Sequence, residues 1–266
     1  MSEIKIALVG AAGRMGKETI RAAQANPETI IGAAIEYDGC PLLGQDAGEL
    51  AGCGKLGVAL VKDLATAAAS CDVILDLSLP QATNTVIETA VKMGKPLVCG
   101  TTGASVESLK KIAEAGAHIP VIHSKNFSVG VAVLSSLVKQ AAAILGSDYD
   151  IEIVEKHHNK KVDSPSGTAQ ILADSILAEM SNGACIYGRE GNVGARPKGE
   201  VGIHALRGGG IFGEHTVYFI GQNERLELGH IAHTRALFAE GAVKTAAFIA
   251  KAKTGQYTMS DVLGLK

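Results

Sequence analysis

The chain has 266 residues, 47% of them apolar and 20% charged, with a formal net charge of -2. So even a balance gives no global case for binding nucleic acid or a membrane surface, and the length suits two domains of unequal size. Gly is abundant at 32 and Trp is absent, which fits an α/β protein with many tight turns better than a coiled coil or a disordered chain.

In chain order, residues 4–9 are a short apolar run, predicted as a buried strand. The run stops at Gly10-Ala11-Ala12-Gly13-Arg14-Met15-Gly16. A helical pattern covers 17–24 and ends at Asn26-Pro27. Residues 30–35 make a second strand, which finishes at Glu36. The Gly-rich segment 38–55 breaks this rhythm and is predicted as a surface loop. Alternation then resumes with a weak strand at 57–60, a short helix at 65–69 and a strong strand at 72–77. A helix at 82–93 stops at Gly94, and a strand at 96–99 ends in Gly100-Thr101-Thr102-Gly103. A helix at 106–115 and a strand at 119–122 complete the series. Strands and helices alternating over short connections predict a parallel sheet with helices on both faces.

After Asn126-Phe127 the grammar changes. Residues 128–145 read as one long apolar helix. Alternating strands follow at 149–154, 201–206, 215–220 and 225–232, with a helix at 170–180 among them and a Gly- and Arg-containing loop at 187–200. This pattern predicts an α+β region with a mixed or antiparallel sheet and one open face, for which self-association is a common remedy. Residues 234–251 are predicted helical, returning to pack on the first domain.

The five Cys, at 40, 53, 71, 99 and 185, are odd in number and lack zinc-ligand spacing. Cys71 and Cys99 are expected as small core residues. The run at 4–9 is too short for a signal peptide, and no apolar run reads as long enough to span a bilayer. A cytoplasmic location is expected.

Gly10, Gly13 and Gly16 sit between a strand and a helix. Such glycines allow a tight turn, close approach of a pyrophosphate to backbone N–H groups, and close helix–strand packing. Glu36 lies 20 residues past Gly16, where a carboxylate would bind an adenosine ribose diol. Dinucleotide binding is the expectation; the bland alternative is an ordinary βαβ turn with a solvated Glu. Tyr37, not Arg, follows Glu36, which favours NADH; Arg14 is the nearby cation that would accommodate the 2′-phosphate of NADPH. Gly100-Thr101-Thr102 and Ser124-Lys125-Asn126-Phe127 lie at carboxyl ends of predicted parallel strands, where open α/β sheets bind ligands.

Residues 155–169, EKHHNKKVDSPSGTA, link a strand to a helix. Asp163 and Ser164 are expected as caps, with Pro165 at the first helical position. Ser166, Gly167 and Thr168 would fall in the first turn, whose free N–H groups suit an anion. A histidine there can give a proton near neutral pH, and Lys161 can neutralise a carboxylate. A metal site is the rival, but no Asp, Glu or Cys at ligand spacing completes it; a solvated charged loop is the bland reading. His215 follows Gly213-Glu214 and stays open between structural and functional roles. Arg189, Arg196 and Arg207 would serve turns, subunit contacts or the substrate.

On GAAGRMG at 10–16, GTTG at 100–103, NFSVGV at 126–131, the 155–169 stretch and HALRGGGIFGEHTV at 204–217, the chain resembles the 4-hydroxy-tetrahydrodipicolinate (dihydrodipicolinate) reductases of lysine biosynthesis. The resemblance runs across both predicted domains. It implies a Rossmann domain from residues 1–127 and 234–266, and a central substrate-binding and tetramerisation domain at 128–233. It further implies NAD(P)H-dependent reduction of a small cyclic dicarboxylate by a homotetramer in the diaminopimelate route. His157 then stands as general acid and Lys161 as its catalytic partner, with His158, Ser166, Gly167 and Thr168 as substrate ligands. Gly10, Ala11, Ala12, Gly13, Arg14, Met15, Glu36, Gly100–Thr102 and Ser124–Phe127 stand as cofactor contacts. Many members carry Arg where Tyr37 stands, and some carry Asp-Phe-Thr-Arg-Pro at 76–80. An aspartate-type dehydrogenase and a regulatory dinucleotide-binding protein are the alternatives; the DSPSGTA turn argues against the first, His157 and Lys161 against the second.

Overall fold

The computed structural model describes residues 3–265. The described chain divides into two compact units, one running to Val129 and resuming over Arg235–Gly264, the other Gly130–Thr234.

The first unit begins with β1 (Ile4–Val9), α1 (Arg14–Ala25) and β2 (Thr29–Ile35). Then come α2 (Ala47–Ala51), β3 (Leu60–Val61), α3 (Leu64–Ala68), β4 (Val73–Asp76), α4 (Pro80–Met93), β5 (Leu97–Cys99), α5 (Val106–Ala115) and β6 (Pro120–His123). The second unit holds α6 (Val129–Leu145, all but its first residue), β7 (Asp150–His157), α7 (Gly167–Leu177), β8 (Ala184–Tyr187), β9 (Glu200–Arg207), β10 (Glu214–Ile220) and β11 (Arg225–Ile231). The chain returns to the first unit for α8 (Ala236–Ile249), β12 (Gly255–Tyr257) and α9 (Met259–Leu263).

The first sheet is parallel throughout, in the order β12-β6-β5-β4-β1-β2-β3. Strand β1 lies between β2 and β4, so connections leave it in opposite directions and a crevice opens at the strands' carboxyl ends. Successive side chains of a strand point to opposite faces. Ile4, Ile6 and Leu8 therefore join one core, with Ile20 of α1 and Ala242, Val243, Ala246 and Ile249 of α8. Ala7 and Val9 join the other, with Val86, Ile87 and Ala90 of α4 and Ile112 and Ala115 of α5. Each fully buried Ile or Leu contributes about 1.5–3 kcal/mol relative to exposure. Gly241, inside α8, has a backbone reason: a Cβ there would stand 1.8 Å from the Phe127 carbonyl oxygen.

The second sheet is mixed, in the order β11-β10-β7-β9-β8. Its β10 pairs antiparallel with β7 and β11, while β9 pairs parallel with β7 and β8. Ile151, Ile153, Val201, Ile203, Val217 and Phe219 face Leu134 and Val138 of α6 and Leu172 and Ile176 of α7. No helix of this unit covers the opposite parity among the described residues, which includes exposed Leu206, Ile220 and Ile231. Glu152 on that face binds Arg189, Arg196 and His204, so these arginines tie the 188–199 loop to the sheet.

Several sequence expectations need correction. Residues 38–55 are not all loop: Asp46 accepts backbone N–H groups of Gly48, Glu49, Leu56, Gly57 and Val58, and so caps α2 and closes the segment around itself. Those bonds, Leu56's first, hold its carboxyl down at about 2. Strands β8 and β12 and helix α9 were not anticipated. The stretch Val129–Asp148 does have the length and the mean hydropathy, 1.7, to cross a bilayer. Its Leu134, Val138 and Ala142 are instead packed into the core of the second unit.

Candidate active site

The carboxyl edge of the parallel sheet gathers the first set of predicted residues. Gly10 adopts φ +83°, and a Cβ there would meet the Leu77 carbonyl oxygen at 2.9 Å. At Gly16 a Cβ would lie 2.2 Å from the Gly10 oxygen, so α1 starts flush against the turn. Gly13 is the N-cap, and having no side chain it leaves the start of α1 without a side-chain cap. Arg14 and Met15 hold the first helical positions, whose N–H groups have no partner within a helix. Such a helix start is where a pyrophosphate binds. Glu36 follows β2, and its carboxylate accepts the Ala12 N–H at 2.8 Å. The acid therefore stands at the mouth of the glycine turn, with Tyr37 beside it 65% exposed.

Next along this edge, a Cβ on Gly100 would meet Leu77 Cδ2 at 2.6 Å and Phe127 Cε2 at 2.7 Å. Thr101 is buried, and its hydroxyl donates to Asp76 Oδ2 at 3.1 Å. Ser78 donates both N–H and Oγ–H to Asp76 Oδ1. Burial pushes the Asp76 carboxyl up against these bonds. Asp76 thus pins the loops after β4 and β5, a role that no local spacing reveals because its partner Thr101 is 25 residues away. Ser124 closes a tight turn by donating to the Asn126 carbonyl at 2.6 Å, and Asn126 Oδ1 accepts the Ser128 N–H at 2.8 Å. Thr102 and Lys125 are exposed, Phe127 is buried. Glycine turn, uncapped helix start, acid and loop ends together fit a dinucleotide: the glycines let the backbone close up tightly, the helix start leaves N–H groups uncapped, and the Glu36 carboxylate stands at the turn.

The second set lies in the other unit. Strand parity turns Ile151, Ile153, Glu155 and His157 to the same, covered face. Glu155 has no exposed surface. Its Oε2 accepts from His157 Nδ1 at 2.6 Å and Arg207 Nη1 at 2.8 Å. Its Oε1 accepts from Arg207 Nη2 at 2.7 Å and the Ser166 N–H at 3.0 Å. Burial pushes this carboxyl up, but the Arg207 bonds and then His157 outweigh it and hold it below the usual range. His157 is pushed down, first by burial and with Glu155 opposing. His215 packs edge-on against His157, ring centroids 5.2 Å apart, and its Nε2 is 2.8 Å from Ser166 Oγ. Burial, then the neighbouring His157, takes His215 down to about 3, so it is neutral at pH 7.

Around this cluster, His158 donates its N–H to the Ile211 carbonyl at 2.8 Å, and its Nδ1 is buried with no hydrogen-bond partner among the described residues. Lys161 grips Asp163 at 2.8 and 2.9 Å. The expected capping is displaced by two residues from Ser164. Ser166, not Asp163 or Ser164, is the N-cap, accepting from Ala169 N–H at 3.1 Å. Helix α7 starts at Gly167, so Pro165 lies outside it. The Ser166 N–H is not free for a ligand, because Glu155 takes it. Gly167 is exposed, with nothing within 4 Å of an added Cβ, and half-buried Thr168 follows. The structure thus brings His157, Ser166 and His215 together and adds Glu155 and Arg207, whose pairing across 52 residues no local spacing reveals.

Family models described as "Dihydrodipicolinate reductase, N-terminus" and "Dihydrodipicolinate reductase, C-terminus" match residues 4–127 and 130–263. The chain belongs to the dihydrodipicolinate reductase family. These are oxidoreductases. Relatives named 4-hydroxy-tetrahydrodipicolinate reductase extend the match along the whole chain. One from Methylocella silvestris is 44% identical over 268 residues, covering 100% of this chain and 98% of its own. Another, from Anaeromyxobacter sp. (strain Fw109-5), is 47% identical over 266 residues, covering 99% and 98%. A solved dihydrodipicolinate reductase from Paenisporosarcina sp. TG-14, with dipicolinate bound, shares the fold at TM-score 0.76 and 24% identity, covering 96% of this chain and 97% of that one. Within this family frame, the Rossmann-type sheet carries the nucleotide-binding edge.

Proposed function

We propose that the chain reduces 4-hydroxy-tetrahydrodipicolinate, with loss of water, to tetrahydrodipicolinate in the diaminopimelate route to L-lysine. The observation that carries this reading is the pairing of a nearly buried histidine, His157, with an exposed helix start at Gly167 in the same unit. A cyclic dicarboxylate needs both a proton source and an anion grip. The dipicolinate held by the Paenisporosarcina relative is in keeping with such a ligand.

Gly10–Met15, Glu36, Gly100–Thr102 and Ser124–Phe127 would hold the dinucleotide. When bound, its reduced nicotinamide supplies the hydride. The chain's own residues do the rest. Lys161, His158 and the Gly167–Thr168 helix start hold the carboxylates, with Ser166 setting that start. His157 directs a proton onto the reduced ring, and a positioned general acid contributes about 100- to 10,000-fold. Glu36 beside Tyr37 favours NADH, since a carboxylate repels a 2′-phosphate. The uncovered face of the mixed sheet, with Leu206, Ile220 and Ile231, supports self-association to a homotetramer in the cytoplasm. Light scattering would then give four times the 27.4 kDa chain mass.

A coupled assay tests the reaction. Purified protein is given aspartate semialdehyde, pyruvate and the preceding synthase, and nicotinamide absorbance is followed. Loss of absorbance with a lower Michaelis constant for NADH than NADPH is expected. No loss with either cofactor would sink the enzyme reading and leave a regulatory dinucleotide-binding protein.

A further inference from the structure

Among the described residues, Glu155 is the one fully buried carboxylate beside the proposed acid, and the mechanism above leaves it without work. All four of its contacts are donors: His157 Nδ1, both terminal nitrogens of Arg207, and the Ser166 N–H. An ionised carboxylate only accepts, so the His157 nitrogen facing it must carry hydrogen. We propose that Glu155, clamped by Arg207, is a positioning residue: it fixes His157 with Nδ1–H inward, so that Nε2 is the atom that hands over the proton. This rests on the reading of His157 as the general acid.

Three observations support it. Arg207 binds both carboxylate oxygens, at 2.8 and 2.7 Å, and a forked pair of this kind fixes orientation as well as charge. Nε2 lies where Gly213 passes, and a Cβ on residue 213 would come within 3.1 Å of it; glycine there keeps the approach open. Finally, the groups bearing on His157 come from every element around it. They are Glu155 on its own strand, Arg207 on β9, His215 on β10 and Lys161 in the following loop, with Asp163 holding Lys161. Burial, Lys161 and Arg207 disfavour the charged ring, and Glu155 opposes them. It is therefore what keeps the ring chargeable. In the step itself the Nε2–H bond breaks as the substrate anion's electron pair takes the proton. Neutral imidazole remains, still donating through Nδ1, and a solvent proton restores it. The Ser166 N–H on the same carboxylate couples this ring to the helix start that grips the substrate.

The test joins spectroscopy and kinetics. With 15N-histidine-labelled protein, and signals assigned by their loss in His157→Gln, neutral wild-type His157 is expected to show the Nδ1–H tautomer; an Nε2–H tautomer overturns the proposal. Glu155→Gln should lower kcat on the order of 100-fold, the low end of what a positioned general acid contributes. It should move the alkaline limb of the kcat profile to lower pH, and change the dicarboxylate KM less than about threefold, because binding groups stay in place. Glu155→Asp, which keeps the charge, should return the limb toward its wild-type pH. A folded Glu155→Gln enzyme with unchanged kcat and limb overturns the proposal; if that variant does not fold, the wild-type tautomer decides. Unchanged turnover in His157→Gln would instead sink the general-acid reading, whatever the tautomer.

Discussion

The two units solve the same problem with different materials. The parallel sheet has apolar cores on both faces, and its ligand edge is made almost wholly of backbone: glycine turns, a helix start and loop ends. The mixed sheet has a core on one face only, and its site is made of charged and titratable side chains converging from β7, β9, β10 and the cap of α7. Backbone recognition is set by sterics and is nearly indifferent to pH. Side-chain recognition is set by charge and is sensitive to it. A nucleotide whose reacting ring must be held in place suits the first; a substrate that must be gripped by its charges and protonated suits the second.

Each prediction probes that contrast, the largest effect first. His157→Gln should lower kcat by about 100- to 10,000-fold with little change in the substrate KM; dinucleotide affinity, read by fluorescence titration, should stay as it was. Acid should attack the mixed-sheet unit. His215 sits at about 3 against an ordinary 6.5, so the unfolded chain binds a proton across that window and the folded one does not. Stability present above pH 6.5 is then lost as pH falls toward 3, on the order of a few kcal/mol. His157, shifted down as well, adds to the loss, and so does Glu155 below its ordinary 4.5. Denaturant melts at stepped pH should show this slope, which His215→Phe should flatten. The glycines should separate cleanly. Gly16→Ala drives a Cβ into backbone and should cost about 1–3 kcal/mol, together with nucleotide affinity. Gly167→Ala meets open space, so its melting temperature should hold while the substrate KM rises. Smallest, Glu36→Gln removes a carboxylate beside the ribose site and should shift the NADH-to-NADPH ratio of kcat/KM by about tenfold, worth ~1.4 kcal/mol.

What could be read from the sequence follows the same divide. Strand–glycine–helix spacing is local, so residues 10–16, Glu36 and the loops after β5 and β6 were identifiable before any coordinates. The long periodic helices were too. Short elements were not: β12 has three residues and β8 four, too few for a period to stand out. Helix α2 exists because one side chain, Asp46, collects five backbone donors, a geometry that composition does not announce. The start of α7 slipped by two residues because Pro165 reads as a first helical residue, whereas the Ser166 side chain bonds three residues ahead. Glu155 left a usable signal. It shares strand parity with Ile151 and Ile153, and a carboxylate on the apolar parity requires a buried partner. Parity also places Arg207 inward after Val201 and Ile203, but only the pairing of β7 with β9 shows that the two meet.

Helix α8 has a consequence for how the molecule is made. Its Ala242, Val243, Ala246 and Ile249 complete one core of the parallel sheet, and its Gly241 seats the turn at Phe127. The inserted strands and helices, through Thr234, are synthesised before α8, while one core of the first sheet, already lined by Ile20 and Ala23 of α1, waits for its second long helix. On a ribosome, where domains fold as units while the chain lengthens, the later-encoded middle can close before the frame that precedes it. During that interval the part of this core that α8 completes lies open to neighbouring chains, and this is the stage of biogenesis at which a chaperone would matter most.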